Sequence, residues 1–579
     1  MGPAVGLRPL LLYPMKTSCF LYRCGVALTL FACQGRAAVA DISFSDMSAK
    51  SGITFQHNDG SKGEYHIVET MCAGLALFDY DNDGDVDIYF LNGKGDGPGA
   101  ATVPARNRLY RNNGNWRFVD VTEQAGVGDT GHGLGVAVSD YDNDGDQDLY
   151  VNNYGPNLLY QNQGDGTFKD VTQSAGVANG NRVGAGASFL DADGDGDLDL
   201  FVANYIKFSP EKHVPRTKSG YPIYGGPSDY TPETATYFQN NDDGTFTDRS
   251  REVGVTRHAA PGMGIISADY DRDGDTDVFV ANDGQMNFLF ENDGQGNFKE
   301  VGLLRGFAYD SAGRVHASMG VDCADFDNDG FLDFHVTSFQ QELATLYRNI
   351  GGQLLEDVTR QSGAGIGTRA PVTWGTGFAD FDNDGDKDLF VACGHLYDQI
   401  HKFDRTSTYE TPNVLFENIG KGRFKNISAE AGQGMQIQRC SRGAAFDDLD
   451  DDGDIDVVVL NLRGKPTLLR NDSNNNNRWL AIDLRGTSSN RDGVGARVEI
   501  KAGGESQIAE VHSGRGYQGH HGSRIHFGVG ENKTVESVRI SWIGGASQIL
   551  QEVDTNQVIQ VEEALADSKI NRLQGESKP

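Results

Sequence analysis

The chain has 579 residues, with 82 Asp+Glu against 50 Lys+Arg and a formal net charge of -32. A polyanion of this kind is repelled by nucleic acid and by anionic membrane surfaces, so neither is expected as a direct partner. Gly supplies 75 residues and Pro only 16, with 38% hydrophobic residues and no Gly-X-Y period; this excludes a collagen-like or disordered chain and favours many short strands joined by tight turns.

In residues 1–40, Arg8, Lys16 and Arg23 come first, an apolar run from Gly25 to Ala32 follows, and Ala38-Val39-Ala40 stands before Asp41. This is the order of a secretory signal peptide, and its apolar run is too short to span a bilayer. Leu30-Phe31-Ala32-Cys33 offers a rival reading, a bacterial lipoprotein site that would leave a lipid anchor on Cys33. Phe31 fits that site poorly, so cleavage after Ala40 is preferred. Either reading exports the protein to the periplasm, the medium or the cell surface, the second as an outer-membrane lipoprotein. Beyond the leader only Cys72, Cys323, Cys393 and Cys440 remain, too few for a disulfide framework. Cys72 and Cys440 hold nearly equivalent places in the first and last repeats described next; they either pair or are buried thiols.

One pattern, D-x-D-x-D-G-x-x-D, recurs seven times. Its positions one, three, five, seven and nine are Asp79, Asp81, Asp83, Asp85 and Asp87 in the first copy, and Asp140, Asp142, Asp144, Asp146 and Asp148 in the second. The third and fourth copies carry Asp191, Asp193, Asp195, Asp197 and Asp199, then Asp269, Asp271, Asp273, Asp275 and Asp277. The fifth has Asp325, Asp327, Asp329, Phe331 and Asp333. The last two have Asp380, Asp382, Asp384, Asp386 and Asp388, then Asp448, Asp450, Asp452, Asp454 and Asp456. Carboxylates at alternate positions around a Gly turn converge on one centre, and hard oxygen ligands with this much charge suit Ca²⁺. Position seven is expected to give only its backbone carbonyl, which Phe331 does as well as Asp. An EF-hand needs Glu at position twelve and a following helix. Position twelve here is Phe90 or Val, and each loop runs into a strand such as Asp148-Leu149-Tyr150-Val151. Four ligand Asp in each of seven loops make 28 carboxylates, so about seven Ca²⁺ account for most of the acidity without any basic partner.

Around each loop the order of elements repeats: a Gly-rich apolar strand, the metal loop, a second strand, a third ending in Asn (Asn112, Asn162, Asn240, Asn292, Asn349, Asn418, Asn471), and a fourth opening on Phe or Leu. Four strands per unit is the blade of a β-propeller. The fourth strand begins at Phe118, Phe168, Phe246, Phe298, Leu355 and Phe424, but none follows Asn471. The missing piece stands at the start, Phe44-Ser45-Asp46, followed by Gly52-Ile53 as Phe118 is followed by Gly126-Val127. The fold expected is therefore all-β, a seven-bladed β-propeller closed by the N-terminal strand and followed by a small C-terminal β-domain.

These loops resemble the FG-GAP/VCBS repeats of integrin α-subunit propellers. The chain after residue 41 resembles the cartilage acidic protein family, which joins such repeats to a C-terminal ASPIC/UnbV domain. The resemblance is carried by Ser51-Gly52-Ile53, Glu69-Thr70-Met71, Asn204-Tyr205, Tyr224-Gly225-Gly226-Pro227, Gly394-His395-Leu396-Tyr397, Gly493-Val494-Gly495-Ala496, Ser513-Gly514-Arg515-Gly516-Tyr517 and His526-Phe527-Gly528-Val529-Gly530. The family has Gly where Cys72 stands, Asn where Cys393 stands and Cys where Gly225 stands, so no disulfide pattern carries over. The divisions expected are a leader at 1–40, the propeller at 41–473, a linker at 474–478, an ASPIC/UnbV-like β-domain at 478–564 and a disordered tail at 565–579.

With the metal loops on one face, the longest insertions, 204–236 and 393–413, fall on the other, where recognition is expected. They hold Tyr221, Tyr224, Tyr230, His395 and Tyr397, joined by Arg314, His316, Arg369 and Trp374 from loops that enter innermost strands. Aromatic and Arg side chains together favour an extracellular protein or glycan ligand; alternatively the aromatics only pack their own loops. His512, His520, His521 and His526 match no zinc spacing and are expected at exposed turns. The reading is of a secreted or cell-surface binding or adhesion protein with structural Ca²⁺. The alternative is a polysaccharide lyase or hydrolase with its site in the propeller funnel, and a purely structural matrix protein is a third.

Overall fold

The computed structural model describes residues 42–72, 74–94, 105–544 and 547–564. The leader, its cleavage and lipid sites, and the tail at 565–579 lie outside the described residues. Among those described, no helix is long and apolar enough to cross a membrane.

The fold is all-β and propeller-like. Among the described residues between 44 and 471 lie seven four-stranded antiparallel sheets, six with their strands paired in chain order and the last completed by the first strand of the chain. Sheet 1, for example, pairs Leu75–Phe78, Asp87–Phe90, Arg108–Asn112 and Phe118–Asp120 in sequence. The inner strands are buried on both faces, as in Asp87–Phe90 and Asp199–Asn204, because each sheet packs on a neighbour on either side. Apolar clusters lie between consecutive sheets. One joins Phe78, Tyr89 and Leu109 of sheet 1 to Val136, Leu149 and Tyr160 of sheet 2. Another joins Leu77, Ile88 and Phe90 of sheet 1 to Ala445, Val458 and Leu468 of sheet 7.

Phe44–Asp46 pairs with Thr467–Asn471 and supplies the fourth strand of sheet 7, with Phe44 opposite Asn471. A glycine after each fourth strand faces the first residue of the next sheet's fourth strand. A Cβ on Gly126 would lie 3.3 Å from Phe168 O, one on Gly52 3.0 Å from Phe118 O, and one on Gly432 2.6 Å from Phe44 O. Phe44 thus stands to sheet 6 as Phe168 stands to sheet 1.

The Asn ending each third strand bridges sheets. Asn162 Nδ2 donates to Gln147 O in its own sheet (3.1 Å) and to Tyr80 O of sheet 1 (2.9 Å). Asn240, Asn292, Asn349, Asn418 and Asn471 repeat the reach to Tyr141, Ala192, Tyr270, Phe326 and Phe381 of the preceding sheet. Asn112 of sheet 1 reaches Leu449 O of sheet 7 at 2.9 Å.

Residues 479–562 form two further sheets. Trp479–Arg485 pairs antiparallel with Ile525–Gly528 and parallel with Gln557–Glu562, while Arg497–Ala502 lies between Glu505–Glu510 and Thr534–Ser541, with Ser547–Asp554 at the edge. Between Glu510 and Ile525 the chain leaves these sheets as a finger that touches the first strand of every one of the seven. His520 N donates to Leu75 O (3.0 Å), and Ser513 Oγ donates to Val138 O (2.6 Å). Ser188 Oγ donates to Ser513 O at 2.5 Å, and His512 Nδ1 lies 2.9 Å from Ser267 O. Gly516 and Val321 exchange backbone bonds of 2.9 and 3.0 Å. The Tyr517 ring meets Trp374 at 5.3 Å and the His521 ring meets Phe446 at 4.8 Å. Gly514, at φ 83°, lets the finger pass: a Cβ there would sit 1.9 Å from Ala187 O. The Arg515 guanidinium holds the buried Asp322 carboxylate through contacts of 2.6 and 2.9 Å.

This arrangement corrects one expectation. His512, His520 and His521 are buried rather than exposed at turns, because the segment carrying them lies against the innermost strands. Burial pushes His512 and His520 down to about 3, so both rings are neutral. All four described cysteines are buried free thiols, and Cys72 does not pair with Cys440.

Candidate metal loops and the opposite face

In each metal loop the backbone turns on two residues with positive φ. Position six is always Gly (Gly84 φ 95°, Gly385 φ 100°), and position four is Asn82, Asn143, Gly194, Arg272, Asn328, Asn383 or Asp451, also at positive φ. Asn, Asp and Gly tolerate that region best; Arg272 is the outlier. The turn folds backbone N–H groups onto the first carboxylate: Asp83 N and Gly84 N donate to Asp79 at 3.1 and 2.8 Å. Position nine is held from within the loop and from outside it, with Asp87 accepting from Tyr80 N at position two (3.1 Å) and from Asn112 N of the third strand (2.7 Å).

Position three is different. Oδ1 of Asp81, Asp142, Asp193, Asp271, Asp327, Asp382 and Asp450 is buried and has no hydrogen-bond partner. A buried carboxylate oxygen left bare seven times at one position is what a cation would satisfy. Asp79, Asp81 and Asp87 bring their oxygens within 4.8 Å of one another, and so do Asp140, Asp142 and Asp148 and Asp325, Asp327 and Asp333. In sheets 3 and 4 the corresponding groups are Asp191, Asp193 and Asp195, and Asp269, Asp271 and Asp273. The electrostatics agree. Burial first, and neighbouring carboxylates with it, pushes Asp79 up to about 6, Asp140 and Asp448 up to about 8, and Asp87 up to about 9. A divalent cation among these oxygens removes that penalty. The Asp-rich groups fit Ca²⁺.

Neighbouring loops also touch. Asn82 Nδ2 at position four donates to Asp146 Oδ1 at position seven of the next loop (2.7 Å). The same bond runs from Asn143 to Asp197, Asn328 to Asp386 and Asn383 to Asp454. Where position seven is Phe331, position four of the preceding loop is Arg272, and its guanidinium lies 5.3 Å from the Phe331 ring. A cation–π contact replaces the hydrogen bond. The two departures from the repeat are thus one exchange, a signal present in the sequence at positions four and seven.

The recognition residues expected on the opposite face fall into separate groups. Arg314 and His316 both rest on Asp310, at 2.6 and 3.1 Å. Trp374 is buried between Tyr517 and Arg442, whose guanidinium lies 3.9 Å from its ring. His395 is buried beside Gln340 (3.1 Å) and packs on the half-buried Tyr397. Tyr230 packs on Phe208. Tyr224 is buried, donating to Glu69 Oε2 (3.1 Å) and accepting from Arg463 Nη2 (2.9 Å). None of these lines the cavity of about 100 Å³ beside the base of the finger, which is bordered by Lys387, Asp447, Glu510, Arg515, His521 and Arg524. The two insertions do meet: Lys402 sits over Tyr221 (4.7 Å) and Lys218 over Phe403 (5.1 Å). Tyr65, unremarked in the sequence, joins them by packing on Tyr224 and accepting from Gln399 (2.8 Å).

Comparison with known proteins agrees with the motifs. The FG-GAP-like repeat family matches residues 79–151, 140–202, 269–336 and 325–391, and the ASPIC and UnbV family matches 486–568. The chain is 27% identical to Cartilage acidic protein 1 of Xenopus tropicalis over 345 residues, 55% of this chain and 48% of that protein. It is 26% identical to the Homo sapiens protein of that name over 348 residues, 55% of this chain and 47% of that protein. These matches span about half the length of either relative. Among solved structures, an Agrocybe aegerita lectin described as recognising non-reducing terminal N-acetylglucosamine is similar at a TM-score of 0.36 and 17% identity, covering 62% of this chain and 80% of that one.

Proposed function

We propose that this chain, which carries FG-GAP-like repeats with an ASPIC/UnbV domain and is related to cartilage acidic protein 1, is an exported Ca²⁺-binding propeller that serves as a binding or adhesion protein. Residues 41–473 make a seven-bladed ring closed by the N-terminal strand, 474–478 a linker and 478–564 a cap. About seven Ca²⁺ occupy the loops, held by the side chains at positions one, three, five and nine and the carbonyl at position seven. The observation that carries the reading is the bare, buried Oδ1 at position three of all seven loops. The cation is structural: it holds each blade's first turn, so that the opposite face stays rigid enough to recognise an extracellular protein or glycan through the joined insertions around Tyr221 and Tyr397.

The metal reading is tested by metal analysis of the chain after desalting from Ca²⁺. Close to seven Ca²⁺ per chain are expected, and about one fewer in Asp81→Asn; a chain without calcium would end the reading. The recognition reading is tested on a glycan array and a panel of matrix proteins, with Tyr221→Ala as the variant. Binding indifferent to that change would move the ligand off this face.

A further inference from the structure

The cap sits on the metal loops, and its contacts with them follow a pattern. Arg497 Nη2 donates to Gly330 O, His526 Nε2 lies 3.0 Å from Gly453 O, and Arg491 N donates to Asn143 Oδ1 at 2.8 Å. These partners are the residues at positions four and six, whose positive-φ backbone makes the turn. The cap therefore reads the shape of the loops. It also brings more negative charge to them. Asp492 Oδ2 accepts from Ser139 Oγ (2.9 Å), from Asp140 N (2.8 Å) and, more loosely, from Gln147 Nε2 (3.4 Å). This sets a carboxylate against the first ligand of loop 2. Among the described residues, no Lys or Arg nitrogen comes within 4.0 Å of Asp492. Glu510 Oε2 accepts from Asp269 N at the head of loop 4 (3.2 Å), and its nearest cation is Arg497 at 3.8 Å. Like charges pressed together in a region shielded from water oppose docking unless a cation lies between them.

We propose that Asp492 and Glu510 couple calcium binding at loops 2 and 4 to seating of the cap, so that filled loops hold the finger 511–524 among the seven innermost strands and empty loops release it. The inference rests on the loops being calcium sites. The coupling is reciprocal: the seated cap raises calcium affinity at loops 2 and 4. Loop 1 gains nothing, because among the described residues no hydrogen bond or ion pair joins 79–87 to the cap. The neutral isosteres Asp492→Asn and Glu510→Gln keep an oxygen acceptor for Asp140 N and Asp269 N and remove the charge. They should weaken calcium at two loops by about tenfold, within the usual range of coupling between sites, while making the cap's seat less dependent on calcium.

The test is amide hydrogen exchange of the full chain in Ca²⁺ and in chelator, at a temperature where both forms keep their outer strands protected, with metal analysis of the same samples. In the wild type, chelation is expected to speed exchange in 511–524 at least tenfold while strands such as Leu158–Asn162 stay protected. In Asp492→Asn/Glu510→Gln that acceleration should shrink. Three results would overturn the proposal: finger exchange unchanged once calcium is shown to be gone, finger and outer strands losing protection together, or an equal or larger acceleration in the double variant. Absence of bound calcium in the untreated protein would remove the metal reading, and this inference with it.

Discussion

Asn112 tests the joint between the first and last sheets. Its side chain is 2% exposed, donates to Val86 O (3.1 Å) and Leu449 O (2.9 Å), and accepts from Gly114 N (3.0 Å). In Asn112→Ala, two buried carbonyls lose their donor, at about 1–3 kcal/mol each, so a total loss of about 2–6 kcal/mol is expected. For a folded body of roughly 500 residues, an unfolding entropy near 1 kcal/mol per kelvin converts this to a fall in Tm of about 2–6 °C. Asn112→Asp should lose more, since it turns an acceptor toward the two carbonyls. Asn113→Ala, next door and exposed, should stay within about 0.5 kcal/mol. Calorimetry in saturating Ca²⁺ reads all three. An Asn112→Ala protein melting within about 1 °C of wild type would mean that the bond tying sheet 1 to sheet 7 contributes nothing, contrary to this expectation.

Three further outcomes are expected. Without metal, stability should rise as pH falls from about 9 toward 5: burial holds Asp87 near 9 and Asp199 near 8, and a carboxyl raised in the folded state stabilises below its unfolded value and loses that contribution as pH climbs through the folded one. Melts in chelator across that range check this, and Ca²⁺ should reverse the trend because protons compete with the cation. Arg515→Met should cost about 3–5 kcal/mol by leaving Asp322 buried without its partner, and Arg515→Met/Asp322→Asn should recover part of it in a denaturant double-mutant cycle. Arg442 is fully buried, has no carboxylate within 4.0 Å among the described residues, and donates to the carbonyls of Thr70, Gly394 and Ser441. Arg442→Lys, with one nitrogen for three, should lose about 2–4 kcal/mol by denaturant titration.

The repeats were legible because each position is under a separate constraint. The proposed coordination asks for Asp at positions one, three, five and nine, the turn asks for Gly at six, and the joint between sheets asks for Asn at the end of strand three. Phe44 could be assigned to sheet 7 because the fourth strand opens on the same residue type in most sheets and only the last lacked it. The finger was not legible. Ser513-Gly514-Arg515-Gly516-Tyr517 stands out as a motif, but its partners are Asp322 and Met71, 193 and 446 residues away. No local periodicity encodes a segment most of whose hydrogen bonds go to the first strands of the seven sheets. The same blindness put His512 and His520 at the surface. On the opposite face, Tyr221 and Lys402 gave no sequence sign that the two insertions meet, since neither insertion repeats.

Calcium in the seven loops is proposed to hold this fold together. A thermal melt of one preparation in excess Ca²⁺, in EDTA and in Mg²⁺, with metal analysis of each sample, tests it most directly. On this proposal a large rise in Tm with Ca²⁺ is expected that Mg²⁺ does not reproduce, because the smaller ion demands a tighter octahedral shell and keeps its waters. Equal melting temperatures in Ca²⁺ and EDTA, with calcium shown to be absent from the chelated sample, would contradict it.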